Sequence, residues 1–246
     1  MDGGIFSERE MLIQIKNRFS GAVIFEHDCE DNSIKLTLKL AFESGSNLSN
    51  ANLRCADLRN ADLSNANLSS ANLRCADLRN ADLRCADLRN ADLSSANLSS
   101  ANLRCADLRN ADLSNANLSS ANLRCADLRN DDLRCADLRN ADLSSANLGD
   151  ANLRCADLRN ADLSNADLRC FGDMKIIFTL QLDNWQVGFT KDVMQIGCKR
   201  FKIEEWREFT DDVISKMDSN ALAWWKRWKY PLFAIIDERL KDLSDS

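Results

Sequence analysis

Histidine occurs once in the 246 residues, at His27, and proline once, at Pro231. A solitary His beside Glu26 and Asp28 removes most triad and His-metal mechanisms, which require further partners of defined kind. No apolar run approaches the roughly 20 residues of a membrane-spanning helix; the longest are short pieces such as KIIF and LFAII. The opening MDGGIFSERE lacks the apolar segment of a signal peptide, so the expectation is a soluble, cytoplasmic chain with no membrane partner. Excess positive charge is missing as well. With 32 Lys and Arg against 38 Asp and Glu the net charge is −6, which excludes a generic nucleic-acid binder. No phosphate-binding loop, no CxxC-like ligand spacing and no nucleophile paired with a base is present, so neither an enzyme nor a cofactor or metal is expected.

What is present is a repeat. Residues 46–170 divide into 25 quintets of the form A-(D/N)-L-(R/S)-x, from SNLSN to ADLRC. Leu holds the third place throughout, from Leu48 to Leu168, and Ala the first place except at Ser46 and Asp131. Residues 51–100 recur as 101–150 with three changes, at positions 131, 149 and 150, the mark of tandem duplication.

A period of five fits neither regular element. On an α-helix successive Leu residues would fall about 140° apart and spiral around the cylinder. In a continuous strand an odd spacing would send alternate Leu to opposite faces. A short extended piece followed by a corner keeps every Ala and Leu on one side. Repeated corners make a coil, and stacked coils make a solenoid with a Leu and Ala interior.

The A-(D/N)-L-x-x array resembles the pentapeptide repeat proteins. The resemblance implies a mainly β fold, a right-handed quadrilateral β-helix with four quintets per coil, the Leu and Ala inward and the other three places outward. At 20 residues per coil the array makes about six coils, in which residues 20 apart stack at about 4.8 Å. The family also includes acidic rods that mimic DNA and bind DNA gyrase or topoisomerase IV. Here 15 second-place Asp face 15 fourth-place Arg, ten of them in D-L-R quintets where each charge screens the other, which disfavours a topoisomerase partner.

Seven Cys fall at fifth places and would stack in columns, Cys85, Cys105 and Cys125 in one, Cys55/Cys75 and Cys135/Cys155 in another. They are expected as free thiols that cross-link between molecules in air. The N-x-S sequons at Asn47, Asn67, Asn97 and Asn117 arise from the N-L-S of the repeat. Asp131 occupies an inward Ala place, where burial should raise its pKa.

An open solenoid exposes core and strand edges at its ends, and the flanks are expected to cover them as small α/β caps. All sixteen aromatic residues lie there. Residues 1–45 read as an N-terminal cap: a hairpin from MLIQIK and AVIFEH, then Ile34–Gly45, whose Ser33 and Gly45 suit a helix although Ile34–Leu40 alternates like a strand. Residues 171–246 read as a C-terminal cap of short strands, one helix over 203–217 and a second from Ala221, kinked or broken at Pro231. Ala221, Trp224, Trp225, Trp228, Leu232 and Ile235 or Ile236 make one apolar stripe on this second helix, and Trp224, Trp225, Trp228 and Phe233 are the candidate interaction surface. Resemblance to family members implies a homodimer through this end, and an affinity with pentapeptide proteins of bacteriophages and their enteric hosts. The expected function is a non-enzymatic scaffold binding an unidentified protein partner, with topoisomerase binding as the alternative.

Overall fold

Each quintet turns the chain at its fourth and fifth residues. The fifth has φ between 55° and 61° in twenty-four successive quintets, from Asn50 to Asn165. The next Ala N–H closes the turn on the preceding Leu carbonyl, as in Ala101 to Leu98 at 3.0 Å. A four-residue turn with positive φ only at its third residue favours Gly or Asn there. Asn fills eleven of these places, but Cys fills seven and Ser five, residues with no local bond to offset the left-handed backbone.

The computed structural model describes residues 11–170, 177–183 and 185–244. Hydrogen bonding in the array repeats without a gap. In the quintet 101–105 the Asn102 N–H donates to Ala81 O, Leu103 N–H to Asn122 O, and Cys105 N–H to Arg124 O, at 2.7–3.0 Å. The fourth N–H, of Arg104, donates to the Asn102 side-chain Oδ1 at 3.3 Å. All five amides of the quintet thus have partners, three of them in neighbouring coils. Parallel bridges join second-place residues 20 apart, from Asn52↔Asn72 to Asn147↔Asp167, so four quintets separate stacked neighbours. The result is a mainly β solenoid of the β-helix type.

The interior follows from the same geometry. Every Leu from Leu48 to Leu168 is at most 8% exposed, and most are fully buried. Each contributes about 1.5–3 kcal/mol of apolar burial.

Two compact units divide the chain, Met1–Asp167 and Leu168–Ser246. In the first, β1 (Met11–Asn17) and β2 (Val23–Cys29) form an antiparallel hairpin with Ile15 opposite Phe25. The free edge of β1 pairs with β3 (Ala51–Asn52), so the hairpin extends the edge of the array's first coil. Helix α1 (Ile34–Glu43) follows, with Ser33 as N-cap accepting from Leu36 N–H. The strand-like alternation of Ile34–Leu40 gives way to this cap and to burial of Thr37, Leu38 and Ala41. Asn32 ties the segment together, donating to Met11 O and His27 O and accepting from the Thr37 hydroxyl.

The second unit is an antiparallel meander of β4 (Phe178–Leu182), β5 (Trp185–Phe189), β6 (Val193–Ile196) and β7 (Lys199–Lys202). Three helices follow: α2 (Ile203–Glu208), α3 (Asp211–Ser215) and α4 (Ala221–Ser244). The single helix expected over 203–217 is two, because Phe209 is extended (ψ 126°) and Thr210 starts a new helix by accepting from Val213 N–H. Helix α4 runs on through Pro231, without the break that the proline suggests. Gly188 is buried where any Cβ would lie 2.4 Å from Leu168 O. No helix among the described residues is long and apolar enough to cross a membrane.

Replacing Leu103 by Ala should lower stability by about 2–5 kcal/mol in urea unfolding. Cys105→Asn, at φ 58°, should raise it by roughly 0.5–1 kcal/mol. A stability loss from the Asn variant would show that the left-handed fifth place imposes no cost on Cys.

Candidate functional site

The aromatic stripe chosen from the sequence is largely interior. Trp224, Trp225 and Phe233 are 8%, 2% and 7% exposed and join Val187, Phe189, Met194, Ile196 and Trp206 in the core of the second unit. Trp224 stacks on Trp185 and donates Nε1–H to Leu182 O at 3.0 Å. Trp228 is half-buried at the edge of that core, its Nε1–H held by an Asp183 carboxylate oxygen at 2.7 Å. The four residues therefore do not compose an exposed face: helical spacing marks an apolar stripe but does not say that strands of the same unit cover it. Among the described residues the exposed aromatics are instead Tyr230, Phe19 and Phe42.

The array offers the larger outward surface. Quintets stacked 20 residues apart make four columns, here numbered one to four from those beginning at Ser46, Ala51, Ala56 and Ala61. In a D-L-R quintet the second-place carboxylate accepts the fourth-place backbone N–H and two guanidinium hydrogens, as in Asp107 with Arg109 at 2.8 and 2.6 Å. At least nine such pairs are formed among the described residues, and seven of these nine lie in columns one and three. Their carboxylates are held below the usual range chiefly by the arginine hydrogen bonds, Asp57 and Asp157 to about 2.

Columns two and four differ. Their N-L-R quintets set the exposed arginines Arg54, Arg74, Arg104 and Arg124 behind an Asn, which receives only the backbone N–H. Their D-L-S quintets place Asp62, Asp92, Asp112, Asp142 and Asp162 with a Ser, whose backbone N–H the carboxylate accepts. The seven exposed thiols, Cys55 to Cys155, stand on these same two columns. A shallow groove of about 300 Å³ runs between Ser64, Asn65, Arg84, Cys85, Arg104 and Cys105. Among the described residues no group of three or more His, Cys, Asp or Glu converges as a metal site. His27 is half-buried at the end of β2.

The sequence alone presents the second-place Asp and Asn as outward, solvent-facing residues. Their backbone task, satisfying the fourth N–H, was signalled by the restriction of that place to the two residue types that form such a turn.

Asp131 is buried to 1% exposure. Its Oδ1 accepts from Ala111 N–H at 2.9 Å, while Oδ2 has no partner. Burial pushes its carboxyl up to about 9, aided by the nearby Asp127 and Asp107 charges.

The family model of pentapeptide repeats matches eight copies, over residues 44–70, 61–99, 71–109, 101–130 and 132–169, more than half of the chain. The chain belongs to the pentapeptide repeat family. Among solved structures of the family it is similar to Rfr23 from the cyanobacterium Cyanothece 51142, with 36% identity over 37% of this chain and 64% of that one, and a TM-score of 0.36. It thus spans under two thirds of that relative. HetL of Nostoc sp. strain PCC 7120, involved in heterocyst differentiation regulation, is 31% identical over 51% of this chain and 78% of its own, with a TM-score of 0.24. QnrB1, a plasmid-mediated fluoroquinolone resistance protein, is 25% identical over 50% and 70%, with a TM-score of 0.22. Membership rests on the repeat match and not on these superpositions. No curated protein matches.

Asp131 makes the pentapeptide array pH-sensitive in a defined sense. The native state keeps the proton up to about pH 9 and the unfolded chain releases it near 3.8, so stability should fall as pH rises through that window. The paired carboxylates act oppositely: their contribution is complete above 3.8 and is lost as pH drops towards about 2. Ala111 N–H also donates to Leu108 O at 2.8 Å, so deleting the carboxyl leaves it partnered. Asp131→Ala should therefore gain on the order of 3 kcal/mol at pH 7 and remove the decline between about pH 4 and 9. A variant no more stable than the parent at pH 7 would contradict the burial argument.

Proposed function

We propose that this pentapeptide array is a right-handed, four-sided β-helix of about six coils that works as a non-enzymatic protein-interaction scaffold in a reducing, cytoplasmic setting. The single observation that supports it most is the allocation of roles within the quintet: backbone, Leu and Ala are used internally, and what is left for solvent is a regular lattice of charged and polar side chains. Such a lattice matches a partner that is itself extended and regular. It contains no convergent, desolvated polar cluster of the kind that chemistry on a small substrate needs. The hairpin of β1 and β2, paired to the first coil through β3, serves in this reading as the N-terminal cap. Free thiols at ten positions are in keeping with a reducing compartment.

The alternative is a DNA mimic that binds DNA gyrase. It needs rows of uncompensated carboxylates, and in two columns of this array seven carboxylates are held in arginine pairs. A supercoiling assay with purified gyrase separates the readings. The scaffold reading expects unchanged supercoiling with the protein present in the low micromolar range; inhibition there would overturn it in favour of mimicry.

A further inference from the structure

We propose that the second and fourth columns of the array are complementary faces by which copies of this chain associate side by side, parallel and in register. The inference rests on the four-sided reading above, in which columns two apart lie on opposite sides of the coil.

Charges left without a partner in their own quintet are confined to these columns, apart from Asp150 in column one, and they come in blocks. Up column two run Arg54 and Arg74, then Asp92 and Asp112, then the internally paired Asp132 and Arg134. Up column four at the same levels run Asp62, the paired Asp82 and Arg84, then Arg104 and Arg124, then Asp142. Level by level the signs oppose: positive meets negative at the first level, and negative meets positive at the third and fourth. At the second and fifth levels an unpaired charge meets a neutral pair, so none of these five levels sets like charges together.

Position within the face agrees as well. A closed coil runs in opposite directions on opposite sides, so the second place of one column meets the fourth place of the other when two copies stand side by side. Asp92 and Asp112 of one copy then oppose Arg104 and Arg124 of the next, and Arg54 opposes Asp62. Reversing one copy end to end would break this correspondence, which selects the parallel arrangement. Because every copy carries both faces, the contact is heterologous and continues into open ribbons. Exposed ion pairs are individually weak and screened by salt, so association depends on the whole row and on low ionic strength.

Sedimentation velocity of the full chain under reducing conditions, across a concentration series at ~20 mM and ~500 mM NaCl, tests this. Mass should rise with concentration at low salt and return to monomer at high salt. The double reversals Asp92→Arg with Asp112→Arg, and Arg104→Asp with Arg124→Asp, should each abolish the rise, whereas an equimolar mixture of the two should restore it. Circular dichroism checks that each variant folds, and the single reversals Asp112→Arg and Arg124→Asp replace any double variant that does not. A wild-type chain that stays monomeric at both salts, or variants that assemble like the parent, would overturn the proposal. Monomers that still bind another protein through the array would leave the scaffold reading standing, while self-association with intact supercoiling and no other protein bound would confine that reading to this contact alone.

Discussion

The structure depends on keeping a Leu inward every fifth residue, which neither a helix nor a strand allows. The chain meets this demand with a corner in every quintet, and each corner requires a residue in left-handed conformation. That local cost is repeated along the array and is offset by Leu burial and by the three inter-coil hydrogen bonds each inner quintet donates. The side chain at the second place then completes the accounting, because it supplies the acceptor for the one amide that the stacking leaves over.

From this follows the division of labour on the surface. Second-place Asp and Asn are equivalent to the backbone, since both present Oδ1 to the fourth N–H. They are not equivalent to solvent. Whether the quintet is neutral, positive or negative is decided by pairing that choice with Arg or Ser at the fourth place, and the fold is indifferent to the outcome. Surface charge can therefore vary along the array at little cost to stability, and it is sorted by column, two columns holding mostly neutralised quintets and two holding blocks of either sign. Asp131 shows the opposite case: at the first place a carboxyl disturbs the interior, with one oxygen left unpartnered.

Inward Leu and Ala and the corner are legible in the sequence, because the arithmetic of period five admits one solution. The number of quintets per coil was not: it entered through family resemblance and is seen in the bridges 20 residues apart. The charge columns depend on that number, which is why pairwise screening was foreseen and the segregation of unpaired charge was not. In the C-terminal segment helical spacing marks an apolar stripe through Trp224 and Trp225, but periodicity alone does not reveal that β5 and β6 cover it, which is why these residues read as a surface. The break at Phe209 and Thr210 was hidden for a related reason, since an apolar stripe can continue in phase across a cap.

Amide hydrogen exchange resolved by residue tests the central claim most directly. In the inner coils, protection should recur with period five: strong at the second, third and fifth places, where the N–H joins a neighbouring coil, and weakest at the fourth, where a half-exposed side chain is the acceptor. Protection that alternates every second residue, follows a helical period or is absent from the array would contradict it.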